Sequence, residues 1–376
     1  MAKTNNGLSR NGSGPKAPGR TEPTTPRELA KYIIEYDSSD ISTHAPHTLP
    51  VSAVMDAAAR NPIPWPKLQA PVATPLSSKP NPNSPLPQMD YVVVTWTVEE
   101  AKCLADTLTP GYSSQTDWYP YAHLFKTDYV PLIRKGAPAL SSGRLGSWFP
   151  TTIAGKRVAC FKSELHLSQD GPKMPIAKLW AQIIAEAKPK LIITTGTAGG
   201  IGPNMELGDV VFAEKVRFDC QKEFKSKSFA TTAYPCPSLK TSSISIATGL
   251  FKANADHLPS ASRLPQVWHA ATTKVPVPDV VTTDFFAFDD TSNTFGLQGL
   301  GGAVEMGDAV LGMVIGQLGS AAPKWAAVRN ASDPEIDSKG LTEKEAATKA
   351  AQIYEKFGYW TTIPSAVTCW ALIRDN

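Results

Sequence analysis

The 376-residue chain carries 37 Lys/Arg against 34 Asp/Glu, with 42% hydrophobic and 19% charged residues. That is a globular composition, and no apolar run approaches the roughly 20 residues that cross a bilayer, which excludes a membrane-spanning helix. The opening MAKTNNGLSRNGSGPKAPGR has no apolar core, so no secretory signal is expected, and five cysteines without metal-ligand spacing fit a reducing compartment, the cytoplasm.

Residues 1–88 hold 9 Lys/Arg and 6 Asp/Glu, so the remainder is formally neutral and offers no basic face to nucleic acid. The same segment holds 15 of the 33 prolines, in strings such as NPIPWPK, and is expected to be largely extended or disordered. Two short helices are expected within it, PRELAKYIIEY and SAVMDAAAR. The main domain, 89–376, opens on YVVVTW, a buried strand by its continuous β-branched run. TVEEAKCLADTL reads as a helix ending before Pro110. RVACFKS is a strand, MPIAKLWAQIIAEAKP a helix stopped by Pro189, LIITTG a buried strand and GDVVFAEKVRF another. Residues 221–278 read as an irregular insertion. PDVVTTDFF is a strand, AVEMGDAVLGMVIGQLG a helix and WAAVRNAS a strand. LTEKEAATKAAQIYEKFG is a helix with Thr342 and Glu345 as a capping box and Gly358 as its stop, and TIPSAVTCWALIR is a separate final helix. Alternating strands and helices predict an α/β fold, a three-layer αβα sandwich around a mixed, largely parallel sheet.

The sharpest local signal is Thr195-Gly196-Thr197-Ala198-Gly199-Gly200-Ile201-Gly202 directly after a buried strand. Taken alone it matches a dinucleotide turn. Such a turn needs a helix straight after it to face the pyrophosphate, whereas here Pro203-Asn204 and Gly208-Asp209 lead into another strand. No Tyr-x-x-x-Lys pair follows.

The longer stretch KLIITTGTAGGIGPNMELGDVVFAEKVRFD resembles the nucleoside phosphorylase and nucleosidase superfamily. Two further segments agree in order. Ala303-Val304-Glu305-Met306 resembles the family's VEME ribose segment, and Val328-Arg329-Asn330-Ala331-Ser332-Asp333 its VRxISD segment. The resemblance covers about 90–376 apart from the insertion. It implies glycines in the turn that let backbone amides at Thr197, Ala198 and Gly199 approach the ligand. Phe286 falls at a base-stacking position, and Met306 against the sugar. Asp333 would be the acid at the leaving base, beside Ser332, and Glu305 would bind ribose hydroxyls. The second glutamate of VEME is replaced by Gly307, with Asp308 one residue later as a possible substitute. The resemblance also implies a homo-oligomer and a small nucleoside or nucleotide as ligand.

The nucleophile is read from absences. The phosphorylases' Gly-Asp-Pro-x-Arg loop is missing after the first strand, and Thr194 and Thr195, not an arginine, precede Gly196. Fixed cations are what a phosphate requires. The first loop instead resembles that of the methylthioadenosine/adenosylhomocysteine nucleosidases. Glu100 then falls on the water-activating position, with Glu99 as fallback. The expectation is hydrolysis of a purine N-glycosidic bond without cofactor or metal. The alternatives are a phosphorylase and a catalytically silent nucleoside-binding protein. His166 and Lys173 lie in the loop ELHLSQDGPK, from which they could reach a 5′ substituent such as a phosphate, but a place at the surface is the expectation.

Overall fold

The computed structural model describes residues 21–47, 60–259, 263–270 and 278–376. Thirteen strands among them build one sheet: β1 (Val72–Ala73), β2 (Tyr91–Thr95), β3 (Tyr119–Tyr121), β4 (Gly146–Ile153), β5 (Lys156–Ser163), β6 (Leu191–Gly200), β7 (Val210–Phe212), β8 (Lys215–Phe218), β9 (Ala233–Pro235), β10 (Val267–Trp268), β11 (Asp279–Thr282), β12 (Ala303–Glu305) and β13 (Lys324–Asp333). The helices are α1 (Pro26–Glu35), α2 (Val98–Leu108), α3 (Pro138–Ser142), α4 (Leu167–Asp170), α5 (Pro175–Ala187), α6 (Ile244–Leu250), α7 (Asp308–Leu318) and α8 (Glu343–Asp375). This is a mixed α/β fold with helices flanking a central sheet whose inner strands run parallel.

One feature of the sheet places the site. Along one edge β6 pairs parallel with β13 for nearly its whole length, Leu191–Gly199. Along the other it pairs with β2 only over Leu191–Thr194, and with β12 only at Gly199 and Gly200. The sheet therefore forks at Thr195–Ala198, where β2 has ended and β12 has not begun. Crevices at the carboxyl ends of parallel strands are where such sheets bind ligands.

Several elements differ from the sequence reading. The glycine-rich stretch is not a turn: β6 runs on to Gly200, because β13 and β12 supply partners. Ala303–Glu305 is a strand pairing with β11 and β6, so the helix after it starts only at Asp308. The two C-terminal helices are one. α8 passes through Gly358 and Pro364 without a break because its second half, Gly358–Ile373, is wholly buried. An all-round buried helix is held by its surroundings, which outweighs the intrinsic cost of Gly and Pro. Pro364 removes the N–H that would reach the Trp360 carbonyl, and one turn earlier Thr362 Oγ1 donates to the Gly358 carbonyl at 2.7 Å. GDVVFAEKVRF splits into β7 and β8, and the 221–278 stretch carries β9, α6 and β10.

Of the two helices expected in residues 1–88, PRELAKYIIEY is α1, capped by Thr25 and Glu28. SAVMDAAAR lies almost wholly outside the described residues. α1 is integral to the body. Leu29, Tyr32, Ile33 and Tyr36 form a cluster with Ala351 and Tyr354 of α8. Tyr32 Oη donates to Glu355 at 2.6 Å, and the Ser38 N–H donates to Glu99 at 2.7 Å.

Candidate active site

Glu100 stands at the third position of α2, where Thr97 caps the helix and the pair forms a capping box. The Thr97-Val98-Glu99-Glu100 spacing is a signal for this that the sequence reading passed over. Five donors converge on the Glu100 carboxylate. Thr95 Oγ1 (2.6 Å) and the Trp96 and Thr97 N–H groups (2.9 Å each) reach Oε2. The N–H (2.8 Å) and Oγ1 (2.5 Å) of Thr197 reach Oε1. The Thr197 amide lies in the fork of the sheet, so the carboxylate takes the place of a missing strand. Gly196 makes this possible. Its φ is +133°, and a Cβ there would lie 2.4 Å from Glu100 Cδ. Only glycine serves both demands. Glu99 points elsewhere, to the Ser38 amide and Lys102.

Asp333, at the end of β13, is the opposite case. Ser332 Oγ donates to its Oδ1 at 2.9 Å, and no second donor is present among the described residues. Burial pushes its carboxyl up to about 7, opposed only by the Ser332 hydrogen bond. A Cβ on Gly199 would lie 3.1 Å from Asp333 Oδ2 and 3.0 Å from Val304 Cγ1. The glycine-rich stretch thus makes room for two carboxylates, Glu100 at Gly196 and Asp333 at Gly199, which refines the reading of it as a platform for ligand contacts.

Glu305 ends β12 and is buried. It accepts from Thr282 Oγ1 and from the Asp308 N–H at 3.0 Å. Burial first, then the neighbouring Asp308 charge, push its carboxyl up, against the pull of Arg329. Arg329 grips Asp308 with two prongs, Nε to Oδ2 at 2.8 Å and Nη2 to Oδ1 at 2.5 Å, and reaches Glu305 only at 3.4 Å. Asp308 is fully buried and does not line the cleft, so it does not stand in for a glutamate at 307. Its carboxylate is spent on Arg329. At Gly307 a Cβ would come within 3.3 Å of the Trp96 ring, whose indole already fills the space a side chain would need.

Apart from Asp308 and Glu99, the carboxylates described above line one cleft. It brings together Glu100, Thr197, Ala198, Gly199, Phe286, Glu305, Met306, Ser332 and Asp333, all expected from the sequence. It also holds residues the sequence reading did not assign: Ile33 and Ile34 from α1, Trp96, Arg329 and Tyr354 from α8. Arg329 lies inside a quoted motif, and its guanidinium sits 4.6 Å from the Trp96 ring centre. Tyr354 Oη donates to Thr97 Oγ1 at 2.8 Å, bracing the cap beside Glu100. His166 is a correction. It is buried and lines the cleft, because β5 ends at Ser163 and the short α4 turns the chain inward. Lys173 stays outside, bonded to the Pro131 carbonyl. Among the described residues no group of three or more His, Cys, Asp or Glu is arranged to hold a metal.

The family model of the Phosphorylase superfamily matches residues 126–357. The chain belongs to that superfamily. Within the matched residues lie Glu305, Arg329 and Asp333; Glu100, Trp96 and α1 precede them. A 5′-methylthioadenosine/S-adenosylhomocysteine nucleosidase of Listeria innocua is 30% identical over 92 residues, 24% of this chain and 36% of that protein. The chain thus matches about a third of that relative's length. Among solved structures, the nucleosidase of that name from Neisseria meningitidis is 18% identical, with TM-score 0.44, covering 76% of this chain and 99% of the other. Futalosine hydrolase of Helicobacter pylori is 13% identical, with TM-score 0.45, covering 76% and 97%.

Proposed function

We propose that the protein hydrolyses the N-glycosidic bond of a purine nucleoside. Breaking this bond requires a proton or hydrogen bond for the leaving base, stabilisation of an oxocarbenium-like sugar, and a nucleophile at C1′. Asp333 is the acid. The observation that carries the reading is a carboxyl raised to about 7 in the same cleft as a fully hydrogen-bonded second carboxylate. Two carboxyl groups with opposite surroundings are the usual basis of an acid and base pair.

Glu100 is the base towards water. A carboxylate offers about four lone-pair sites, and five donors already meet here. A water must therefore replace one of them. The Thr197 hydroxyl can rotate away, whereas the backbone amides cannot. Glu305 faces the sugar and Phe286 the base. Arg329, the one Lys or Arg side chain lining the cleft among the described residues, is committed to Asp308. That favours water over phosphate as nucleophile.

The test is free-base release from purine nucleosides in phosphate-free buffer, read by chromatography. Release without phosphate, lost in Asp333→Asn, is expected. Strict dependence on phosphate would move the reading to a phosphorylase. We place the protein in the cytoplasm and expect its working form to be a homo-oligomer, which sedimentation would check.

A further inference from the structure

α1 reaches the cleft from outside the stretch that matches the superfamily, and it is bonded to two separate walls. On α4, Gln169 Nε2 donates to the Arg27 carbonyl at 3.1 Å, beside the lining residues His166 and Ser168. On α8, Glu355 accepts from Tyr32 Oη at 2.6 Å, beside the lining residue Tyr354. A helix tied to two walls of a cleft bridges them. From this bridge Ile33 and Ile34 line the cleft, at 4% and 2% exposure.

The bridge is fastened differently from the body. Its apolar contacts form a small cluster with Ala351 and Tyr354, separate from the main core that holds the sheet together. Its other ties are polar. Ahead of α1, Glu22 lies 2.5 Å from His47 Nδ1, and His47 Nε2 lies 3.0 Å from Glu355. After α1, Lys102 Nζ donates to Asp37 at 3.1 Å and to Glu99 at 3.0 Å, and the Ser38 N–H donates to Glu99. Water can replace such bonds one by one, whereas opening the main core exposes apolar surface all at once. Elements that move at binding sites come from this weakly held end of a structure.

We infer that residues 21–47 are a strap across the cleft, latched by Tyr32 and Glu355 before it and by Asp37 and Lys102 after it, whose release admits a small-molecule ligand. The inference rests on the cleft being the ligand site, not on the reaction performed there. Docking of the strap also reaches Glu100: the Tyr36 ring packs edge-on against Tyr354 at 6.3 Å, and Tyr354 braces the Thr97 cap.

Two activity-independent measurements on the full chain test it. Hydrogen exchange should show the α1 amides exchanging at least tenfold faster than those of the buried half of α8. In Ser168→Cys, which places a thiol in the cleft wall beside the strap, alkylation by iodoacetamide is located by peptide mass. Adding Tyr32→Phe or Lys102→Met should raise both the alkylation rate and α1 exchange tenfold or more, with β6 and α8 exchange unchanged. α1 amides as slow as those of α8 would overturn the strap, since α1 would then open only with the whole chain. So would an alkylation rate unchanged in either latch variant, or one that rises together with exchange throughout β6. Base release from purine nucleosides is measured alongside. Its absence from the parent chain would defeat the nucleosidase reading and leave the strap standing on the other two measurements.

Discussion

The two carboxylates at the ends of the cleft are built in opposite ways. Glu100 sits where the sheet forks and takes five donors, two of them from Thr197 of β6. Asp333 sits at the end of the longest strand pairing, in apolar surroundings, with one hydroxyl for company. Both are almost fully buried, at 1% and 6% exposure. Burial alone therefore does not distinguish the two; the number of donors aimed at each carboxylate does. The same glycine-rich stretch makes room for both, Glu100 at Gly196 and Asp333 at Gly199.

The comparison breaks most severely at Asp333. Asp333→Asn keeps the shape and removes the proton, and base release should fall by about 10³-fold or more. Its melting temperature should hold, since the amide needs no charge compensation. Glu100→Gln is the mirror experiment. The amide has one acceptor oxygen for five donors, so turnover should drop by about 10²-fold and thermal stability should fall as well. A melting temperature unchanged in Glu100→Gln would contradict the donor count as the difference between the two sites.

Gly196→Ala tests the shared scaffold. A Cβ would meet Glu100 at 2.4 Å from a residue whose φ is +133°. Strain and overpacking together should cost about 2–5 kcal/mol, measured by chemical denaturation. Arg329→Met should cost about 3–5 kcal/mol by leaving Asp308 charged and unpaired, and the double variant Arg329→Met with Asp308→Leu should recover much of that loss. The smallest effect is expected at Thr197→Val. It removes one of the five donors and should change kcat by about tenfold or less, in a direction that reports whether the hydroxyl competes with water.

Much of this site was legible because the superfamily's motifs are short, local and consecutive on their strands. Ser332 and Asp333 fall at the end of a strand that hydrophobic pattern marks out, whereas Glu305, read as part of a helix, ends the short strand β12. What the sequence hid came from distance. Ile33 and Ile34 reach the cleft from a helix inside a proline-rich segment, and Tyr354 from a helix more than 250 residues away from the Thr97 it braces. Nothing local to those residues signals the contact. Asp308 was misplaced for a related reason: adjacency to Glu305 suggested the sugar, but the helix starting at Asp308 turns its carboxylate to Arg329, on a strand 21 residues further on. The single helix α8 was cut in two because Gly358 and Pro364 carry stop signals that burial overrode.

The pH dependence follows from the same contrast. The Asp333 carboxyl is raised in the folded chain above its unfolded value near 3.9, so the native state holds the proton to higher pH. The stability this gives is complete below about pH 4 and declines as pH rises through about 7. Activity that depends on the proton should fall over the same upper limb.

The measurement that tests the account most directly is the pH profile of kcat/KM for base release in phosphate-free buffer. The account predicts a plateau below about pH 7 on this limb, then a tenfold loss per unit above it, with the limb absent from whatever residual activity Asp333→Asn retains. A profile flat to pH 9, or an upper limb unchanged in Asp333→Asn, would contradict Asp333 as the acid.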